Sequence, residues 1–303
     1  MSYLGTIYAR LLNSLIPAEN YGGAEEYWVS YTIGSDSNAG RSVKSPLKTL
    51  DAALGRITAN KCGVIRLMPG HTETFTAANT CVIDKAGIAI VGYGIGSLMP
   101  SFVLGTDVGA TISCNVANVL MKGVKIISDI ADCAVGVTLG ANADGFTMLG
   151  CELSDGGLTE ELVIGVSIAA LCSNVTLVGN TFRTDVSAET GGCASAIKTV
   201  GASDNLKVVG NYIHGHYTAA AMDLDQAASA SIVVTENLVV QIDTGAGLGI
   251  ITHADTSGIV ANNRVVNLKD TVAGVSGAGC AFAENYCSNA LNASGIIKPA
   301  VDS

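Results

Sequence analysis

The sequence predicts an all-β fold, a single right-handed parallel β-helix of about eight turns, and three observations carry that expectation. A strand-and-corner pattern recurs from Ile88 onward at steps of 22 to 31 residues. No stretch between residues 85 and 290 shows a helix of about ten residues, which a doubly wound α/β sheet would need in each repeat. Glycine is abundant (36) and proline scarce (5), which suits many tight corners between strands that must all donate backbone hydrogen bonds.

At the N-terminus, residues 3–15 read as a short amphipathic helix. Leu4, Ile7, Tyr8, Leu11, Leu12 and Leu15 recur at helical spacing and Pro17 stops the pattern. Residues 18–27 are polar and contain glycine, so 1–27 form a helix and arm ahead of a β-helix domain at 28–303. The greasy helix either closes the end of the solenoid or docks on a partner through Tyr3, Leu4, Ile7, Tyr8, Leu11 and Leu12. A second, capping helix is expected over residues 45–54, with Ser45 as N-cap, Pro46 in the first turn and Leu47, Leu50 and Leu54 as its apolar stripe. Gly63-Val64-Ile65-Arg66-Leu67 follows as a strand, ended by the Met68-Pro69-Gly70 turn.

Each repeat then gives a strand, a Gly or Asn corner and an apolar residue. Examples are Ile88-Ala89-Ile90-Val91-Gly92, Val175-Thr176-Leu177-Val178-Gly179-Asn180 and Ile259-Val260-Ala261-Asn262-Asn263. The corners align at 92, 123, 150, 179, 210, 236, 262 and 284. A second strand lies midway, as in Val135–Leu139, Ile164–Ile168, Ala194–Lys198, Ala220–Leu224 and Leu248–Thr252. Asn at a corner tolerates left-handed backbone, and stacked Asn side chains can hydrogen-bond along a ladder. About eight turns spaced ~4.8 Å apart make a column roughly 40 Å long.

Composition narrows the function. The net charge is −10 and no basic run occurs, which argues against nucleic acid and anionic membranes as partners. No segment has the roughly 18 consecutive apolar residues of a membrane span. Nine cysteines, an odd number without a CxxC pair, fit reduced core thiols in a protein made in a cytoplasm. Gly92-Tyr93-Gly94-Ile95-Gly96 is not a dinucleotide fingerprint, because Ser97 stands where the third glycine belongs and no helix follows. No cofactor is expected.

The candidate chemistry is thin. Asp223 and Asp225 are two apart on a predicted strand and so share a face, with Lys198 one turn away from Asp223. Together they could serve as acid, base and cation, or Asp223 and Lys198 could form an outward ion pair. Thr138, Ser167 and Ser276 fall in the same column, where a polysaccharide-cleaving groove should show more carboxylates and arginines. His214 and His216, with His253, could hold a metal if the fold gathered them, or they could be residues of a Tyr212–Tyr217 corner loop. His71 reads as structural and Glu160-Glu161 as a solvated loop. Five Phe, nine Tyr and one Trp leave few sugar platforms.

Three stretches carry a family resemblance. Gly34-Ser35-Asp36-Ser37-Asn38-Ala39-Gly40, Ser45-Pro46-Leu47-Lys48-Thr49-Leu50 and Val64 to Glu73 resemble the N-terminal cap of pectate-lyase-like β-helix proteins. That resemblance implies the fold and leaves function open, since the fold hosts lyases, hydrolases, tailspikes and non-catalytic virion proteins. Ala59 to Phe75, combined with Ile90 to Phe102, is similar to β-helix proteins encoded beside capsid genes in tailed bacteriophages. This implies a non-enzymatic viral structural protein, a capsid decoration or cement protein. It would be a homotrimer on the virion surface, made in the host cytoplasm, with itself and the major capsid protein as partners. The N-terminal residues named above would be its anchor. The alternatives are a tailspike or polysaccharide depolymerase using Asp223 and Asp225, and a glycan-binding adhesin without cleavage.

Overall fold

The computed structural model describes residues 25–157, 159–184, 193–242, 247–267, 274–288 and 295–296. Among them the chain is a parallel β-solenoid of the right-handed type with almost no helix. Three sheets run along it. The first stacks Glu26–Val29, Gly63–Leu67, Ile88–Gly92 and their successors to Ala281–Ala283. The second runs from Thr72–Phe75 through Tyr212–Gly215 to Tyr286–Cys287, where Gly295–Ile296 pairs antiparallel. The third runs from Cys81–Ile83 through Ala220–Leu224 to Val275–Ser276. Its eight strands are separated by seven full circuits of the chain, so the solenoid has about seven turns, slightly fewer than the repeats suggest.

Each turn holds three strands rather than the two expected. The extra strand follows the corner directly and is only three or four residues long, as in Lys125–Ser128, Glu152–Asp155 and Thr181–Arg183. Alternation over so few residues gives no period to read. For the same reason the expected corner loop at Tyr212–Tyr217 is instead mostly the strand Tyr212–Gly215.

The register explains the core. Ile65, Ile90, Met121, Met148, Leu177, Val208, Val234 and Val260 are consecutive cross-strand partners, and all are fully buried. This is one unbroken apolar column, each member packed on the one below and the one above.

The corner uses two adjacent positions for two tasks. Gly123, Gly150, Gly179, Gly210, Glu236, Asn262 and Glu284 hold positive φ, between 51° and 64°, and turn the chain. The next residue, Asn180, Asn211, Asn237, Asn263 or Asn285, points inward and builds the ladder. Each Asn Nδ2 donates to the next Asn Oδ1, at 3.1, 3.0, 2.9 and 2.9 Å. Each also donates to a backbone carbonyl, such as Leu177 O from Asn211 at 3.0 Å. The ladder satisfies corner groups that burial would otherwise strand.

The expected capping helix over 45–54 does not form. Leu47 is extended, donating to Trp28 O and accepting from Ser30 N, both at 2.8 Å. Asp36 Oδ1 accepts from Lys48 N and Thr49 N and fixes the next turn. Within residues 45–54 helix is confined to Leu50–Leu54, capped by Thr49 rather than Ser45. Beside it His71 is fully buried; its Nδ1 accepts from Tyr31 N at 3.1 Å. Its Nε2 lies 3.4 Å from Glu73 Oε2 without hydrogen-bond alignment, and that carboxylate oxygen accepts from Leu50 N at 2.8 Å. His71 is thus a structural residue of the N-terminal turn. The expected helix at 3–15, with Tyr3, Leu4, Ile7, Tyr8, Leu11 and Leu12, lies outside the described residues.

All nine cysteines are free, and eight are buried, with Cys62 exposed. Glu161, expected in a solvated loop, is buried, and its carbonyl accepts from Cys133 N at 2.9 Å. That pairing draws the segment against the third sheet.

Candidate functional site

The column expected on the outside of the third sheet is present. Thr138 pairs with Ser167, Ser167 with Lys198, Lys198 with Asp223, Asp223 with Ile251, and Ile251 with Ser276. Lys198 Nζ is 3.1 Å from Asp223 Oδ2. The carboxylate is nearly buried and the ammonium partly exposed. Their charges cancel, and the remaining neighbours are hydroxyls and one aliphatic side chain.

The strand that carries Asp223 ends at Leu224, one residue before Asp225. Asp225 makes no ion pair among the described residues. Among the described residues the three candidates make one ion pair, Lys198 with Asp223.

The histidines also stay apart. His214 sits on the second sheet and stacks on Tyr212 with ring centroids 6.1 Å apart. His216 lies beyond that strand, its backbone N–H donating to Thr184 Oγ1 at 2.8 Å. His253 follows the third sheet and accepts from Asp255 N at 3.2 Å. Among the described residues no group of three His, Cys, Asp or Glu side chains is placed to hold a metal.

A better-shaped feature lies on the outside of the second sheet. A cleft of about 260 Å³ is bounded by Lys125, Glu152, Asp155, Arg183 and Thr184. Glu152 pairs with Lys125 across adjacent strands at 3.3 Å. The Arg183 guanidinium stands 5.6 Å from the centre of the Tyr212 ring on the next strand. Asp155 Oδ1 accepts from Leu162 N at 2.8 Å. The carboxylates are engaged, so the cleft offers hydrogen-bonding groups rather than a poised acid and base. Sequence reasoning missed it, although a signal exists. Lys125, Glu152, Thr181, Tyr212, Leu238, Arg264 and Tyr286 each stand two residues after a left-handed corner.

No family model matches the chain, and no curated protein matches it either. Among solved structures it is similar to a GH136 lacto-N-biosidase from Eubacterium ramulus, with TM-score 0.52 and 15% identity over 93% of this chain. The chain spans 59% of the length of that enzyme. It also matches a rhamnogalacturonan lyase, with TM-score 0.37 and 13% identity over 92% of this chain and 90% of the other. At such identity the likeness to the lacto-N-biosidase is one of fold, and what the chain shares with it is the parallel β-helix.

Proposed function

We propose that this chain is a non-enzymatic structural protein of a tailed bacteriophage, a homotrimeric decoration protein on the capsid surface. Its partners are copies of itself and the major capsid protein, and it is made in the host cytoplasm. The observation that carries the non-catalytic part is the Lys198–Asp223 ion pair at 3.1 Å. It neutralises the carboxylate of the expected site that lies on the strand. A pair of this kind stabilises local structure and supplies neither nucleophile nor general base. The viral part rests on the resemblance of Ala59 to Phe75 and Ile90 to Phe102 to β-helix proteins encoded beside capsid genes. Free thiols throughout suit a protein assembled before export from a reducing compartment.

The test uses purified protein and capsid shells lacking it. Analytical ultracentrifugation should give about three times the chain mass of 30.7 kDa. Mixing with shells should then move the protein into the shell fraction on a density gradient, saturating at a fixed ratio. A monomer that never sediments with shells contradicts the reading.

A second reading is favoured by the polar cleft bordered by Arg183, whose guanidinium lies over the Tyr212 ring, which suits glycan binding without cleavage. Saturable binding on a glycan panel, lost in Tyr212→Ala and unaccompanied by product release, would establish it.

A further inference from the structure

The edge where the first sheet meets the second changes character along the solenoid. In four successive turns its left-handed corner is glycine: Gly123, Gly150, Gly179 and Gly210. In the next three it is Glu236, Asn262 and Glu284, at φ 59°, 55° and 51°. A left-handed backbone penalises a side chain, and asparagine tolerates it better than glutamate. The two glutamates therefore sit against local preference. The core gains nothing from them, because the inward task falls to the next residue, Asn237 or Asn285.

The second sheet beside this edge holds the opposite charge. Arg264 stands two residues beyond Asn262 and is exposed, with Leu238 and Tyr286 as its cross-strand partners. Glu236 and Arg264 border one cleft of about 370 Å³. Yet among the described residues Glu236, Glu284 and Arg264 make no ion pair and no side-chain hydrogen bond.

The other end of the same edge is apolar. Between Gly92 and Ser101 it carries a loop where later turns have a two-residue corner. On that loop Ile95 is 88% exposed and Leu98 57%. At the same height the second sheet turns Val103 outward, paired with Ile127 on the next strand, and both are half-buried.

A second copy of the chain fits both ends at once. In a three-sided column the outward direction of a face and that of an edge bordering it diverge by about 60°, the angle between neighbours in a threefold ring. An edge set on the face beside it therefore closes a trimer, whereas the edge opposite that face would propagate a filament. Rotation about an axis parallel to the column keeps equivalent residues at equal height. Arg264 of one copy then comes level with Asn262 of the next, with Glu236 and Glu284 one strand spacing, about 4.8 Å, to either side. By the same rule Ile95 and Leu98 come level with Val103. Glycine corners in between leave no side chain to hold the two surfaces apart.

We propose that the edge carrying Ile95, Leu98, Glu236 and Glu284 packs, copy on copy, against the outer face of the second sheet, with Arg264 held between the two glutamates. This pairing rests on the homotrimeric reading and names the surfaces that join its subunits.

The test is sedimentation of the full chain and two variants over a concentration series. The unaltered protein is expected to be trimeric. Arg264→Glu sets a third carboxylate against the two glutamates, so its trimer should dissociate at concentrations at least about 100-fold higher. Adding Glu236→Lys and Glu284→Lys to Arg264→Glu should restore the trimer. All three positions are at the surface, so both variants should keep the circular dichroism of the unaltered protein. A trimer indifferent to Arg264→Glu would overturn the edge-to-face pairing and leave the homotrimeric reading standing. Dissociation that the two lysines fail to reverse would assign Arg264 another partner and overturn the pairing as well. A monomeric unaltered protein would contradict the homotrimer itself, and the pairing with it.

Discussion

Lys198 Nζ and Asp223 Oδ2 meet at 3.1 Å across a single turn of the solenoid, on directly paired residues of adjacent strands. Lys198→Met leaves a nearly buried carboxylate beside Ile251 and removes the cation opposite it. It should lower stability by about 1–3 kcal/mol in urea unfolding. Asp223→Asn should cost less, because an amide tolerates burial better than a lone charge. If Lys198→Met were silent and Asp223→Asn abolished release of sugar from a polysaccharide, the pair would be catalytic instead.

The ladder gives a sharper energetic signature. In Asn237→Ala, Asn211 loses the acceptor for both its backbone N–H and its Nδ2, and Val208 O loses its donor. Several buried polar groups are stranded at once, so a loss of about 2–4 kcal/mol is expected from chemical denaturation. A change under about 0.5 kcal/mol would mean the ladder is incidental.

Tyr217 offers the opposite sign. It is fully buried, and among the described residues its hydroxyl has no hydrogen-bond partner, while its backbone N–H donates to Gln241 Oε1 at 3.0 Å. Tyr217→Phe removes a stranded polar atom and keeps the ring, so stability should rise by about 1 kcal/mol. A fall in melting temperature would show that the hydroxyl is solvated or bonded.

The thiols set the alkaline behaviour. Burial pushes Cys151 and Cys172 from 9.0 up to about 12, with Asp144 adding to the effect at Cys172. Burial likewise raises Tyr217. The folded chain holds these protons after the unfolded chain has released them. Stability is therefore intact below about pH 9 and declines as pH rises toward 12. At pH 8 a thiol reagent should titrate one cysteine per native chain, Cys62, and all nine after denaturation. Rapid reaction of several thiols in the native protein would contradict the burial.

Much of this architecture was legible in the residues. The mid-turn strands at Ala220–Leu224 and Leu248–Thr252 fall where alternation placed them. The aligned corners fall on positive-φ residues from Gly123 to Glu284. The second sheet was not legible, because strands such as Thr181–Arg183 are too short to show a period. Helix at Pro46 and Leu47 was misread because long-range pairing with the Glu26–Val29 strand overrides a good local start signal. Asp225 was expected on the strand of Asp223, which ends one residue before it. The cleft near Arg183 required the register of three strands, which spacing alone does not give.

The proposed role is that of a structural component of a virus particle. Its most direct test is copy number per particle, by quantitative mass spectrometry of purified virions. Hundreds of copies in fixed ratio to the major capsid protein are expected. Absence from the particle, or only the few copies of a tail fibre, would contradict it.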